Sequence, residues 1–135
     1  MNPDPPKGGR ITTLGTAGRI TFDSLNGYIL KGEPAQHIDL LFDSLMTRNE
    51  DEPDAVYALA ARQAEVADDG MSVTFWLDER AKFSDGSQLT SEDVCNTFTL
   101  LKEDGLPQYA VALQDVDACT TDGPAKLTYS FKGSN

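Results

Sequence analysis

The sequence predicts an α+β domain, a mixed, mostly antiparallel sheet with two main helices, and three observations carry that prediction. Two turn signals, Asp68-Asp69-Gly70 and Thr121-Asp122-Gly123-Pro124, each sit between β-prone runs. Two stretches, one after Pro34 and one after Thr90, space their apolar residues as one face of a helix. Strands and helices do not alternate as regular βαβ units, which disfavours a parallel sheet, and the chain shows no internal repeat.

Residues 1–9 are polar and rich in Pro and Gly, and read as an arm. Ile11, Thr12, Thr13 and Leu14 form a short β-prone run, the expected first strand. From Thr16 to Gly32 the glycines interrupt isolated hydrophobes, the pattern of a long, partly buried loop. Pro34 suits a first helical turn, and Ile38, Leu41, Phe42, Leu45 and Met46 follow at helical spacing, so a helix is expected there. Arg48 to Asp54 reads as a solvated acidic loop, Tyr57 to Ala60 as a helical turn, and Gln63 to Val66 as a weak strand.

After Asp68-Asp69-Gly70, the residues Val73, Phe75 and Leu77 alternate with polar neighbours and Trp76, as in a half-buried strand. Thr90, with Asp93 three positions on, predicts a capped helix whose inward stripe is Val94, Cys95, Phe98 and Leu101, ended by Gly105 and Pro107. Val111 to Thr120 and Lys126 to Lys132 then flank the second turn, with Leu127, Tyr129 and Phe131 on one face.

At 135 residues the chain is long enough for one domain with a real core. Eleven Lys and Arg against 22 Asp and Glu give a net charge of -11, which repels phosphate backbones and anionic lipid, so no nucleic-acid or membrane-surface partner is expected. No apolar run approaches the roughly 20 residues that cross a bilayer, and the first ten residues carry no apolar signal core. Cys95 and Cys119 are too few for a disulfide scaffold or a zinc site. Buried free thiols are the plainer reading, and pairing across the intervening segment is the alternative.

Paired carboxylates are the starting point for an enzyme reading, with Asp78 and Asp85, or Glu92 and Asp93, as the candidates for divided acid and base roles. Both pairs lie beside turn and helix-start signals, where acids serve local structure. His37 is the only histidine and no nucleophile elbow accompanies it, so it reads as a surface residue. The acidic segments at 49–54 and 68–70 lack the ligand ladder of a calcium loop, and no phosphate-cradling glycine loop occurs. Neither metal nor cofactor is expected. Trp76 and Tyr28 are possible ligand-stacking aromatics whose plainer role is packing.

The stretch from Val73-Thr-Phe-Trp-Leu through Lys82-Phe-Ser-Asp-Gly86 to Leu89-Thr-Ser-Glu-Asp-Val94 resembles the signature region of the family 5 extracellular solute-binding proteins, peptide-binding components of ABC importers. Asn2 to Gly9 with Phe22-Asp-Ser-Leu-Asn26, and Leu41-Phe-Asp-Ser-Leu-Met46 with Tyr57-Ala-Leu-Ala60, agree with it, and Pro6-Lys-Gly-Gly9 and Asp51-Glu-Pro53 look most like the branch that takes oligopeptides and microcin-C-type conjugates. The resemblance implies part of lobe one of a two-lobed periplasmic-binding-protein fold, an N-terminal piece of a longer parent that binds ligand between two lobes. It implies residues 1–9 as arm, 10–32 as first strand and cleft loop, and 33–135 as the family's extra subdomain. In relatives the loop after the first strand lines the cleft, so Thr16, Ala17, Gly18, Arg19 and Ile20 are the expected ligand-binding residues. A peptide or peptide-like ligand, ABC permease subunits and a periplasmic location for the parent, with no bond chemistry, follow from the same resemblance. Ligand identity stays open among peptides, opines, nickel chelates and sugars. The other reading is a self-associating structural module that keeps the subdomain fold without ligand binding, and a third, a small acidic hydrolase, rests on the carboxylates alone.

Overall fold

The computed structural model describes residues 9, 10, 12, 22–28 and 30–133. The expected first strand, except Thr12, and the five expected cleft residues Thr16 to Ile20 lie outside the described residues. A four-residue 3-10 turn at Ile38–Leu41 comes first, then strands β1 (Met46–Asn49), β2 (Glu52–Ala58), β3 (Ala61–Val66) and β4 (Ser72–Leu77). Helices α1 (Ser91–Glu103) and α2 (Pro107–Ala112) follow, and β5 (Val116–Thr121) and β6 (Lys126–Phe131) close the order. β1 and β2 form a two-stranded hairpin, and the other four strands form one sheet in the order β3-β4-β6-β5. Every pairing among these six strands is antiparallel, so the α+β class with a mostly antiparallel sheet stands.

The central sheet follows from side-chain alternation. Leu77 lies opposite Ala61, Phe75 opposite Leu127, and Val73 opposite Tyr129, which in turn faces Cys119 on β5. One face therefore collects Ala61, Leu77 and Leu127, all but sealed from solvent, with Phe75, Tyr129 and Cys119 packed around them. The other face carries Thr74, whose hydroxyl lies 2.9 Å from that of Thr128, and Trp76, with the Lys126 ammonium 5.8 Å from its ring centre. Trp76 is thus a half-buried packing aromatic beneath a lysine.

Helix α1 covers the apolar face. Its stripe of Val94, Cys95, Phe98 and Leu101 turns inward, while Leu100 points out at 61% exposure. Phe98 sits 5.4 Å from the Tyr129 ring, and the Cys95–Cys119 disulfide joins the helix to the sheet edge. The thiols are therefore paired rather than free, because the helix stripe and the outward-lying edge strand bring their Cα atoms to 5.4 Å. Lys102 donates to the Val116 carbonyl and lies 5.1 Å from the Phe98 ring centre, fastening the helix's far end.

Several local expectations fail, each for a packing reason. The helix expected from Pro34 to Met46 is only a 3-10 turn followed by extended chain into β1. His37 adopts a left-handed backbone (φ 60°), so no helix runs through from Pro34, and the extended backbone of Phe42 ends the turn after Leu41. The expected stripe divides: Leu41 stays 76% exposed, Phe42 turns to Tyr28, and Leu45 and Met46 pack against the sheet core from extended chain, the Leu45 carbonyl accepting the Ala61 N–H at 2.8 Å. The acidic stretch after Arg48 is a hairpin rather than a loop, with Asn49 Oδ1 accepting the Asp51 N–H at 3.1 Å to shape its turn. Tyr57 to Ala60 is the end of β2 and its link to β3, not a helical turn. Pro107 ends α1 as expected but also starts α2, so Val111 and Ala112 are helical and the next strand begins only at Val116. Gly105 is required at that junction, since a Cβ there would lie 2.3 Å from the Leu101 carbonyl oxygen.

Removing the disulfide by Cys95→Ser with Cys119→Ser is expected to lower the unfolding free energy by about 3 kcal/mol, and Thr90→Ala, which removes the α1 cap, by about 1 kcal/mol. Urea unfolding of the oxidised chain measures both, and unchanged midpoints contradict these assignments.

Candidate functional site

The segment Lys82 to Val94, the most motif-like in the chain, is built from turn and cap chemistry. Lys82 and Gln88 form an antiparallel bridge, and the Phe83 N–H donates to the Ser87 carbonyl at 2.9 Å. Asp85 Oδ1 accepts from the Ser87 hydroxyl at 2.6 Å and its N–H at 2.8 Å, which hold the carboxyl below the usual carboxylate range. Thr90 and Asp93 make a complete capping box: the Asp93 N–H donates to Thr90 Oγ1 at 3.3 Å, and the Thr90 N–H donates to Asp93 Oδ2 at 2.9 Å. Ser91, 1% exposed, donates its hydroxyl to the Gly123 carbonyl at 2.7 Å and its N–H to the Pro124 carbonyl at 2.8 Å. The turn between β5 and β6 is thereby locked to the start of α1.

Asp78 is likewise committed. Arg80 donates to it through Nε at 2.9 Å, Nη2 at 2.7 Å and its backbone N–H at 2.8 Å, and these bonds hold the carboxyl far below its ordinary value. Asp122 is lowered by the Lys126 ammonium at 2.7 Å. A general acid needs a carboxyl pushed upward. Asp78 and Asp85 move downward instead, each engaged within its own turn, by Arg80 and by Ser87. Among the described residues no three His, Cys, Asp or Glu side chains converge as metal ligands, and no helix is long and apolar enough to cross a membrane.

Recesses open on the surface of the described residues at two places. One of about 470 Å³ lies at the β1–β2 hairpin, lined by Thr47, Arg48, Asn49, Glu50, Asp51 and Tyr57. The other, about 250 Å³, lies at the start of α1, where the capping box and Ser91 already engage the polar groups. Neither combines an apolar lining with convergent polar groups as a small-molecule pocket does.

The remaining candidate is the stretch from Phe22 to Phe42, which adjoins the expected ligand-binding residues. It closes on itself: the Asp23 and Ser24 N–H groups donate to the Glu33 carbonyl, both at 3.1 Å, and the Ala35 N–H donates to the Ser24 carbonyl at 3.0 Å. Asp23 Oδ1 accepts the Glu33 N–H at 2.6 Å, and Asn26 Oδ1 the Tyr28 N–H at 2.9 Å. Gly32 is needed because its φ of 84° is a backbone conformation that other residues rarely adopt. Tyr28 is the anchor, its ring 4.9 Å from that of Phe42 and 5.7 Å from that of Tyr109 on α2. Burial, then the neighbouring Tyr109 and Asp39, push its phenol upward. Around this anchor Phe22, Leu25, Leu30, Leu40 and Leu41 remain exposed. Their concentration was foreshadowed by the isolated hydrophobes between the glycines; the Tyr28 to Tyr109 contact had no local signal, since 81 positions separate the two.

The chain is 40% identical over 139 aligned residues to the "Peptidoglycan-binding protein YepA" of Agrobacterium fabrum, covering 97% of this chain and 22% of that protein. It is 43% identical over 109 residues to YejA of Escherichia coli K12, covering 81% of this chain and 18% of that one. The "Probable peptide-binding protein YejA" of Agrobacterium fabrum is 38% identical across 100% of this chain and 21% of its own length. The chain thus spans about a fifth of these relatives. Among solved structures, NikA from Brucella suis in complex with Fe(III)-EDTA superposes with a TM-score of 0.67 at 21% identity, over 80% of this chain and 22% of that one. NikZ from Campylobacter jejuni in complex with Ni(L-His) gives 0.60 at 18% identity, over 70% and 19%. Both show the shared fold, part of one lobe. Residues 54–135, more than half of the chain, match the family described as "Bacterial extracellular solute-binding proteins, family 5 Middle", and the chain belongs to that family.

Proposed function

We propose that this chain is part of the first lobe of a receptor that captures oligopeptides or peptide-like solutes and delivers them to an ABC importer, performing no bond chemistry itself. In this reading residues 1–9 are an arm, 10–32 supply the first strand and cleft loop, and 33–135 are the family's extra subdomain. Thr16, Ala17, Gly18, Arg19 and Ile20 meet the ligand. The observation that carries the reading is the set of exposed apolar residues Phe22, Leu25, Leu30, Leu40 and Leu41, which follows those residues in sequence, in and after the loop closed between Asp23 and Ala35, as one wall of an interlobe cleft requires. The names carried by the YepA and YejA relatives support a peptide-like ligand. The Cys95–Cys119 disulfide supports maturation in an oxidising compartment, and hence a periplasmic location.

Such clefts draw affinity from enclosure on both sides, so one wall leaves most of a peptide hydrated. The second reading, self-association without ligand binding, is favoured by Leu30, Leu40 and Leu41, each at least 76% exposed. Calorimetric titration of the chain with a random tripeptide pool, with dilution of the chain alone, separates the two. Dissociation constants of about 1 mM or weaker and athermal dilution are expected; micromolar peptide binding contradicts the one-wall reading, and large dilution heats favour self-association.

A further inference from the structure

The stretch that leads away from the proposed cleft residues must be held in place by something outside itself, and the structure shows which side chain reaches across. Tyr28 meets the helical layer twice. Its carbonyl accepts the Leu106 N–H at 2.8 Å, at the residue immediately before α2, and its ring lies 5.7 Å from Tyr109 one turn along that helix. From the other side Phe42 meets the same ring edge-on at 4.9 Å. α2 follows α1 after the tight junction at Gly105, and α1 is bonded covalently to β5. A continuous set of rigid contacts therefore runs from the core of the sheet to Tyr28.

Tyr28 is suited to that position for local reasons. Asn26 turns the chain so that its Oδ1 takes the Tyr28 N–H, and Gly27 lets the backbone pass Ile38, whose Cγ2 would lie 3.0 Å from an added Cβ. The side chain, too far in sequence from Tyr109 for any local preference to pair them, is thus presented to α2.

We infer that Tyr28 is a positioning residue: it clamps the closed loop of residues 23–35 onto α2 and so fixes where the cleft-side wall stands relative to the sheet. The inference rests on the reading that this side of the chain faces the ligand, but the clamp itself is testable without any ligand. The loop's own hydrogen bonds close it upon itself; Tyr28 turns a closed loop into a docked one.

Hydrogen exchange on the oxidised chain tests this. Tyr28→Ala is expected to speed exchange of the Ser24, Ala35 and Leu106 amides about tenfold, while the Leu77 and Phe131 amides, bonded to Ala125 and Met71, keep their rates. Tyr28→Phe, which keeps the ring and the carbonyl, restores the original rates. Tyr109→Ala loosens the same amides, and adding it to Tyr28→Ala loosens them little further, because both remove one contact. Unchanged loop exchange in Tyr28→Ala, equal acceleration of the sheet amides, or fully additive effects of the two substitutions each overturn the clamp. Micromolar peptide binding by the chain with the clamp intact counts against the one-wall reading alone.

Discussion

A single covalent bond, between Cys95 and Cys119, holds an amphipathic helix against an edge strand of the sheet, and the rest of the molecule is arranged around that joint. Few side chains are fully sealed: Ala61, Leu77, Leu127 and Phe98 make up the apolar interior among the described residues. A core this thin gains much from anything that limits the unfolded chain, which is how a disulfide stabilises in the chain-entropy account. Ser91 provides the complementary tie at the helix's first turn, its hydroxyl spent on the Gly123 carbonyl. With the first turns of α1 tied to the sheet through Ser91 and Cys95 and its last turn through Lys102, α2 and the loop docked on it inherit a defined place.

This arrangement separates what identifies the chain from what serves it. The motif from Lys82 to Val94 is most readily recognised as the family's, yet its polar side chains are occupied with one another: Asp85 with Ser87, Asp93 with Thr90. Such residues specify a turn and a helix start. Exposed apolar side chains gather instead at Phe22, Leu25, Leu30, Leu40 and Leu41, although Phe83 of the motif is itself 47% exposed.

Legibility in the sequence followed the range of the interactions. The β3–β4 hairpin, the capped α1 and the β5–β6 hairpin were readable because Asp69, Gly70, Thr90, Asp93 and Gly123 act on neighbours within a few positions. Residues 34–46 misled because their spacing is helical while their packing partners, Tyr28 and Ala61, are distant in sequence. Helix α2 was missed because Pro107 was read as a stop, when a proline suits a first helical turn equally well. The disulfide stayed open since two cysteines carry no sign of their spatial relation. The five residues Thr16 to Ile20 lie outside the described structure, and resemblance alone singled them out.

The central claim is that the recognisable motif is scaffold and the wall facing a ligand lies N-terminal to it. Chemical-shift mapping of a full-length relative, carrying this stretch and saturated with its peptide ligand, tests that most directly. Amide shifts are predicted to concentrate in the positions matching residues 16–42 and to leave those matching Lys82 to Val94 still. The reverse distribution, with the motif moving and the loop unmoved, would contradict the account.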